Sequence, residues 1–309
     1  MNFLTFLLLN GPLVVLNALT NAFYVFCLAC PLHGKRIKQP LKLLLGSLIC
    51  CSITYLMSFL VMGFTCQAEY WNVSQISNLV VICSLSNSVT SSVWLNFFYY
   101  TQIVPAQRAL SIWIKKNVKS IIYCFWLVER IYTVFDFTVL YLDLSSDSFG
   151  SNNSTMHQDT VVSFSKWLKD MFFILVFILK IHFFFCLGVM VMSNVCTVVY
   201  LCGHMRRMAE NGQPVCSPRL RSQVRVTVTG ILQGVLYMIC TVWTMYKFYS
   251  QKYALVFISP ITHFTVTNVY MSGTTLNLGA GQAVFRQRAA DIWLRAARCC
   301  RVQQTEQGR

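Results

Sequence analysis

The sequence predicts an all-α fold, a bundle of seven transmembrane helices followed by a short amphipathic helix. The chain of 309 residues is 56% hydrophobic and only 11% charged, whereas about a quarter of the residues in a soluble domain are charged. Its apolar segments run without interruption for about 20 residues, the length of a membrane-spanning helix and about twice that of a barrel strand. Its basic residues lie in short clusters between these segments, as in multi-pass membrane proteins.

Seven apolar segments can be counted, and together they form one predicted domain over residues 1–309. The first has no basic leader and no small-residue cleavage site, so we interpret it as a span and not as a removed signal. Pro12 and Pro260 lack a backbone donor, and we expect kinks near both. The predicted spans cover residues 3–30, 41–66, 76–104, 120–142, 171–202, 224–246 and 253–278, and a tail follows over 279–309.

The third segment is expected at the centre of the bundle. It contains an unbroken apolar and aromatic run from Trp94 to Tyr100, and it ends at Pro105. A basic, amphipathic stretch follows over residues 108–119. A hydrophobic helix that gives way to a cationic loop with aromatic residues is typical of a span that leaves the membrane on the cytosolic side.

The distribution of lysine and arginine predicts the orientation. The connections 33–42, 105–119 and 203–225 and the tail from Arg286 hold 19 of these residues, and the connections on the other side hold 4. We therefore place the N-terminus outside and the C-terminus inside the cell, in a multi-pass protein of the plasma membrane. The net charge of +15 then needs no nucleic-acid partner, which would require a continuous basic face.

Glycosylation sequons support this orientation. Asn72, Asn152 and Asn153 each begin an Asn-x-Ser/Thr motif, and all three fall in loops that we predict to be outside, where glycosylation takes place. Unmodified polar loops remain the alternative interpretation.

The tail over residues 282–301 is predicted to be an amphipathic helix at the membrane surface, in contact with membrane lipids. Cys299 and Cys300 lie at its end and are candidates for palmitoylation, or else unmodified thiols. Apolar contact would come from Val284, Phe285, Ile292, Trp293 and Leu294, and contact with lipid headgroups from Arg286, Arg288, Arg295 and Arg298.

No enzyme, cofactor or metal motif is found in the sequence. Cys27 and Cys30 have redox spacing but no second pair, so we interpret them as packing thiols. Residues 143–170 contain no cysteine, so no disulfide can join that loop to the third span. The adjacent Glu129 and Arg130 point in different directions on one helix, and we expect each to find a partner on another span.

The outer halves of the spans carry aromatic, hydroxyl and amide groups at similar depth. A mostly apolar and aromatic cavity with a few polar groups suits a small organic ligand, although each of these residues could equally serve helix packing. Lys180 is expected to contact the ligand, to pair with Asp136 or to extend its ammonium group to the membrane surface. The predicted ligand residues are Asn87, Thr90, Trp94, Lys180, Phe183, Trp243, Tyr246 and Thr262.

Three segments carry a family resemblance. Trp94-Leu95 with Phe98-Tyr99-Tyr100 and Ile103, the basic stretch up to Lys119, and residues 204–225 with Asn211-Gly212 and Ser217-Pro218 resemble the third span and the inner loops of type 2 (bitter) taste receptors. The resemblance covers nearly the whole chain and is closer to fish members than to mammalian ones. It implies a G-protein-coupled receptor with a small-molecule agonist and a gustducin-like heterotrimeric G protein. The G-protein face would include Tyr99, Gln102, Arg108, His204, Arg207 and Arg225.

The chain departs from the family pattern in three of its predicted spans. Ser52 stands where the second span is expected to carry an arginine, and Ser272-Gly273 stands where His-Ser is expected. Thr90 occupies the position of a ligand-contacting tryptophan, and Trp94 follows one turn later. We hypothesise that Arg130 replaces the missing arginine.

Two other functions remain open at this point. One is a pheromone receptor of the vomeronasal class 1 type, a sister group. The other is a small-solute transporter or channel, which the sequence favours less because its spans show no inverted repeat and their acidic residues are confined to the fourth.

Overall fold

The computed structural model describes residues 3–30, 39–67, 71–106, 109–150, 158–212, 217–253 and 260–307. Within these ranges the regular structure is entirely helical, so the all-α prediction is confirmed. Five of the described helices are long and apolar enough to cross a membrane, namely α1, α2, α3, α5 and α6. The helices are α1 Phe3–Ala29, α2 Leu41–Gln67, α3 Trp71–Ile103, α4 Ala109–Gly150, α5 Gln158–Glu210, α6 Pro218–Tyr253, α7 Pro260–Gly281 and α8 Ala283–Gln307.

Several helices continue beyond the predicted spans. The basic stretch that we interpreted as a loop is helical from Ala109 and forms the first turns of α4. The 53-residue helix α5 exceeds its predicted span at both ends. Hydropathy marks only the part of a helix that a bilayer can hold, whereas an amphipathic or polar sequence can extend the same helix into the interface.

The helix ends follow their local sequence. The helix α3 ends at Ile103, two residues before Pro105. After α5, Gly212 has a φ of 65°, which glycine adopts without strain. Ser217 caps α6, because its Oγ accepts a hydrogen bond from the Leu220 amide at 3.2 Å, and Pro218 is the first helical residue.

The two prolines that we expected to cause kinks lie in different settings. Pro12 is inside α1. Pro260 is the first described residue of α7, so the kink expected there remains a prediction.

The helix α3 lies at the centre of the bundle, where it packs against α2, α4, α5, α6 and α7. The helix α7 packs against α1 and α6, and α8 contacts both α1 and α7. We call the end at which α3 leads towards α4, α5 towards α6 and α7 into α8 the basic end, because the clustered lysines and arginines lie there.

The buried apolar residues form two main clusters. The first core cluster includes Tyr55, Val81, Phe183, Tyr237 and Tyr270. The second core cluster lies nearer the basic end and is built from α1, α2, α3, α4, α7 and α8; its members include Tyr24, Leu45, Trp94, Ile122 and Phe285. Large apolar side chains on the outside of the bundle remain exposed, as expected of a surface that faces lipid.

Candidate functional site

A buried polar network joins α1, α2 and α7 at the position of the missing arginine. The Asn21 amide donates to Asn17 Oδ1 at 2.8 Å and to Ser52 Oγ at 2.9 Å. The Ser52 and Thr275 hydroxyls lie 3.3 Å apart. The Tyr24 hydroxyl donates to the Thr275 carbonyl at 2.8 Å. Short neutral side chains therefore fill the place where the resemblance led us to expect a guanidinium.

Arg130 does not join this network, and the hypothesis that it takes over the role of the missing arginine in signalling stays a prediction. Its Nη2 donates to Ser47 Oγ at 2.6 Å, and its guanidinium lies 5.2 Å from the centre of the Trp126 ring. These contacts hold Arg130 between α2 and α4, whereas Ser52 faces α1 and α7.

Glu129 points away from Arg130, into the bundle. Its carboxylate is buried and lies near the Thr90 hydroxyl and the Cys186 thiol. Both carboxylate oxygens of Glu129 are shielded from solvent. In the described part of the chain, neither oxygen accepts a hydrogen bond of good geometry. The expected partner on another span is therefore a set of neutral groups and not a cation.

A second polar network ties α3, α5 and α6 together. Asn96 donates to Asn194 Oδ1 at 2.9 Å, and Asn194 donates to the Gly230 carbonyl at 3.2 Å. A Cβ at Gly230 would lie 2.6 Å from Asn96 Oδ1, so this close approach requires glycine. Our sequence analysis missed these residues; amides within apolar spans were the available signal.

A small cavity of about 40 Å³ lies among α2, α3, α6 and α7, towards the basic end. Gln233 and Asn277 line it, and the Asn277 amide donates to the Thr229 carbonyl at 2.7 Å. The Tyr99 hydroxyl donates to Gln282 Oε1 at 2.6 Å, which joins α3 to the junction of α7 and α8. The basic end of the bundle is therefore closed at this point.

Arg286 stabilises the same junction. Its Nη1 donates to the Ala280 carbonyl at 2.6 Å and to the Gly281 carbonyl at 2.9 Å, which caps the C-terminus of α7. Partial burial and the neighbouring charge of Arg225 lower the pKa of the Arg286 guanidinium. Arg286 therefore has a role within the protein, and its predicted contact with lipid headgroups stays a prediction.

The residues predicted for the G-protein face converge at the basic end. Gln102 and His204 line one crevice of about 390 Å³, together with Lys115 and Gln223. The His204 ring stacks on Tyr200 at 6.0 Å. Arg207 is exposed in the last turn of α5, and Arg225 is half-buried on α6. Arg108 lies outside the described residues.

The residues predicted for the ligand site are only partly brought together. The Thr90 hydroxyl lies 3.0 Å from His182 Nε2. Phe183 is buried in the first core cluster, and its carbonyl accepts a hydrogen bond from the Tyr237 hydroxyl at 2.8 Å. Asn87 is buried and accepts a hydrogen bond from Thr133 at 3.0 Å. These residues surround the contact of α3 with α4 and α5.

The remaining predicted ligand residues lie elsewhere. Trp94 is only 5% exposed, stacks on Phe125 at 4.4 Å and belongs to the second core cluster. The Trp243 ring lies 6.0 Å from the ring of Tyr246, which is 49% exposed, and Thr262 is half-buried on α7. In the described part, no hydrogen bond or ring contact joins these four residues to Thr90 or Phe183. The side chains of Lys180 and Asp136 lie outside the described residues.

The predicted modification sites are described only in part. Asn72 lies in the first turn of α3, and Cys299 and Cys300 lie in α8, but the side chains of all three are outside the description. Asn152 and Asn153 lie outside the described residues. Glycosylation and palmitoylation stay predictions.

The predicted lipid-facing side of α8 needs one correction. Phe285 is 1% exposed and stacks on Tyr24 at 4.2 Å, so it belongs to the core. Val284 packs against the same cluster. Ile292, Trp293 and Leu294 are exposed, as a helix at a membrane surface requires.

The architecture and the site define the class of protein. Seven helices with α3 at their centre, followed by an amphipathic helix along the basic end, form the fold of a seven-transmembrane G-protein-coupled receptor. The family described as Taste receptor protein (TAS2R) matches residues 2–296, and the chain belongs to this family of bitter taste receptors. No curated protein matches the chain. The family is one of receptors and not of enzymes, and it decides against the vomeronasal and transporter alternatives.

Proposed function

We propose that this chain is a plasma-membrane receptor for small organic, bitter ligands that activates a gustducin-like heterotrimeric G protein. The N-terminus faces outside, and the basic end faces the cytosol. The agonist binds in the half of the bundle opposite the basic end. It binds one arrangement of the helices better than the other, and that difference in affinity shifts the population towards the arrangement that admits the G protein.

The closed basic end is the observation that carries this proposal. The Tyr99–Gln282 hydrogen bond holds α3 to the α7–α8 junction at 2.6 Å. The adjacent crevice offers Gln102, Lys115 and His204 between α3, α4 and α5. A helix of a G protein can enter only when this contact opens, so the structure corresponds to the inactive arrangement in this proposal.

The proposed ligand site centres on Thr90 and Phe183. Thr90 bonds His182 and is nearly inaccessible to solvent, and Phe183 supplies an aromatic wall. Asn87, Lys180, Trp243, Tyr246 and Thr262 remain proposed ligand contacts. Trp94 is proposed to support α3 and α4 and not to touch the ligand, because it is stacked in the second core cluster.

The test is calcium signalling in cells that express the receptor with and without a gustducin-like G protein, against a panel of bitter compounds. We expect a concentration-dependent response that requires both proteins. Thr90→Val should raise the half-maximal concentration of the agonist by about fivefold. The variant lacks the Thr90 hydroxyl, and one hydrogen bond contributes a net free energy of about 1 kcal/mol. The matched control is Thr138→Val, because Thr138 is exposed and bonds only its own helix. Ligand-evoked currents or uptake without the G protein would contradict the proposal.

A further inference from the structure

A lateral groove opens between α2 and α4 near the basic end of the bundle. Both helices pack against α3, and the space between them measures about 550 Å³. Gln39, Lys42 and Ser47 line it from the α2 side, and Trp126 and Arg130 from the α4 side. Two cations and several hydrogen-bonding groups therefore face one groove on the membrane-facing surface.

A second groove of about 300 Å³ continues from the first towards the opposite end. Cys50, Cys51 and Arg130 line both spaces, so the two spaces adjoin, and we call them together the α2–α4 groove. Beyond Arg130 its wall includes the apolar side chains Val134 and Phe137. One end of the groove is thus cationic, and the other end is mainly apolar.

Among the described residues, no carboxylate oxygen lies within ion-pair distance of Arg130, although Glu129 on the same helix interacts with it electrostatically. The ion pair that the described residues form joins Arg206 and Glu210 on α5, and Glu129 turns towards Thr90 and Cys186. Arg130 bonds Ser47, stacks on Trp126 and keeps an Nε with no acceptor in the described part. A guanidinium at membrane depth needs an anion, and a planar donor fork suits phosphate oxygens.

The depth of the two cations matches a lipid headgroup. Lys42 is the second residue of α2. Arg130 lies level with Ser47, which is five residues beyond Lys42 and therefore about 7.5 Å further along the axis of α2. The polar interface of a bilayer is about 5–7 Å thick on each side. Lys42 and Arg130 therefore span the interface from the headgroup level to the edge of the hydrocarbon.

We propose that the α2–α4 groove binds one anionic phospholipid from the leaflet at the basic end. Its phosphate lies between Lys42 and Arg130, and one acyl chain follows Cys50 and Cys51 towards Phe137. Basic pockets between transmembrane helices are suited to anionic headgroups. The proposal concerns the membrane around the bundle and does not depend on the bitter ligand or the G protein.

The experiment measures lipid retained by the purified full-length receptor, using native mass spectrometry and a titration with phosphatidylserine. We expect one tightly held phosphatidylserine and a loss of affinity of about tenfold in Arg130→Gln. The matched control is Arg206→Gln, which removes an exposed arginine on α5 and should leave retention within about twofold of wild type. Equal retention by Arg130→Gln and wild type would overturn the proposal.

A second variant fills the groove without removing a charge. Gly46 lines the groove, and a Cβ there meets no atom within 4 Å, so Gly46→Leu should fold and reduce phosphatidylserine retention by about tenfold. Gly63→Leu is its control, since a Cβ at Gly63 also meets nothing within 4 Å and lies outside the groove. If Arg130→Gln does not fold, Gly46→Leu decides the question, and unchanged retention overturns the proposal.

Three further binding measurements distinguish an anionic phospholipid from other ligands of the groove. Phosphatidylcholine should be held about tenfold more weakly than phosphatidylserine, because its headgroup is neutral overall. Cholesterol and glycerophosphoserine, which lacks acyl chains, should not displace phosphatidylserine. Equal binding of phosphatidylcholine, displacement by cholesterol or displacement by glycerophosphoserine would each show a different ligand and overturn the proposal.

Discussion

Gly279 marks the closest approach of α7 to the Tyr24 side chain of α1. A Cβ at this position would overlap the Tyr24 hydroxyl. That hydroxyl donates to the Thr275 carbonyl at 2.8 Å, and the Tyr24 ring stacks on Phe285. The absence of a side chain at one residue therefore allows three helices to meet.

Gly279→Ala is expected to destabilise the receptor by about 1–3 kcal/mol, because Tyr24 must move and lose its hydrogen bond. Thermal unfolding of the purified receptor measures the loss. Gly63→Ala is the matched control, since its Cβ meets no atom within 4 Å. Tyr24→Phe should recover part of the stability in the Gly279→Ala background. Equal unfolding temperatures for the two alanine variants would rule out this account.

Tyr99→Phe tests the closed basic end. Loss of the hydrogen bond to Gln282 removes about 1 kcal/mol from the closed arrangement, which corresponds to about a fivefold shift towards the open one. We expect higher basal G-protein signalling without agonist. Tyr100→Phe is the control, because no hydrogen bond of the Tyr100 hydroxyl is found in the described part of the chain. Unchanged basal signalling in Tyr99→Phe would show that this contact does not hold the closed arrangement.

At the scale of elements, α8 has two different faces. Phe285 is buried against Tyr24, while Trp293, two turns further on, is 76% exposed. Arg288 lies 5.0 Å from the Phe26 ring of α1. One face of α8 therefore completes the protein core, and the other is free for the membrane surface.

Phe285→Ala should lower the stability of the purified receptor by about 3–5 kcal/mol, since it removes a buried aromatic ring. Trp293→Ala should change stability by less than about 0.5 kcal/mol, since that ring packs on little protein. Denaturation in detergent compares the two, and detergent removes the contribution of the bilayer. Similar losses of stability in Phe285→Ala and Trp293→Ala would contradict the assignment of one face of α8 to the protein core and the other to the membrane surface.

At the scale of the whole molecule, the charge distribution predicts the orientation. The connections at the basic end hold 19 lysines and arginines, and the connections at the opposite end hold 4. An epitope at the N-terminus should bind antibody on intact cells, and one at the C-terminus only after permeabilisation. In gel electrophoresis, the receptor from the same cells should shift in mobility after glycosidase treatment. The shift should be smaller in Asn72→Gln, and also in the double variant Asn152→Gln with Asn153→Gln. Surface staining of the C-terminal epitope would invert the proposed topology.

Much of the fold could be predicted because its signals are local. Apolar run length located the helices, and Pro105 correctly marked the end of α3 at Ile103. Asn211-Gly212 and Ser217-Pro218 marked the turn between α5 and α6. The extent of α4 and α5 could not be predicted, because hydropathy has no signal for a helix that continues into polar surroundings.

The candidate site could be predicted less well. Gln102 and His204 were expected at one face, and the structure places both at one crevice. Trp94 was expected to face a ligand and Phe285 to face lipid, yet both side chains are buried in the second core cluster. A helix that is apolar on all sides does not reveal which side faces its neighbours, so the rotation of α3 could not be inferred from composition.

The sequence by itself determined a helical membrane bundle, its basic end and its family resemblance, because these depend on hydropathy, charge and short motifs. Only the tertiary structure decided the partners of the buried polar groups. Ser52 joins Asn21 and Thr275, whereas Arg130 turns to Ser47 and the α2–α4 groove. These choices depend on the helix that happens to lie opposite each side chain, and that arrangement is fixed by packing among all the helices together.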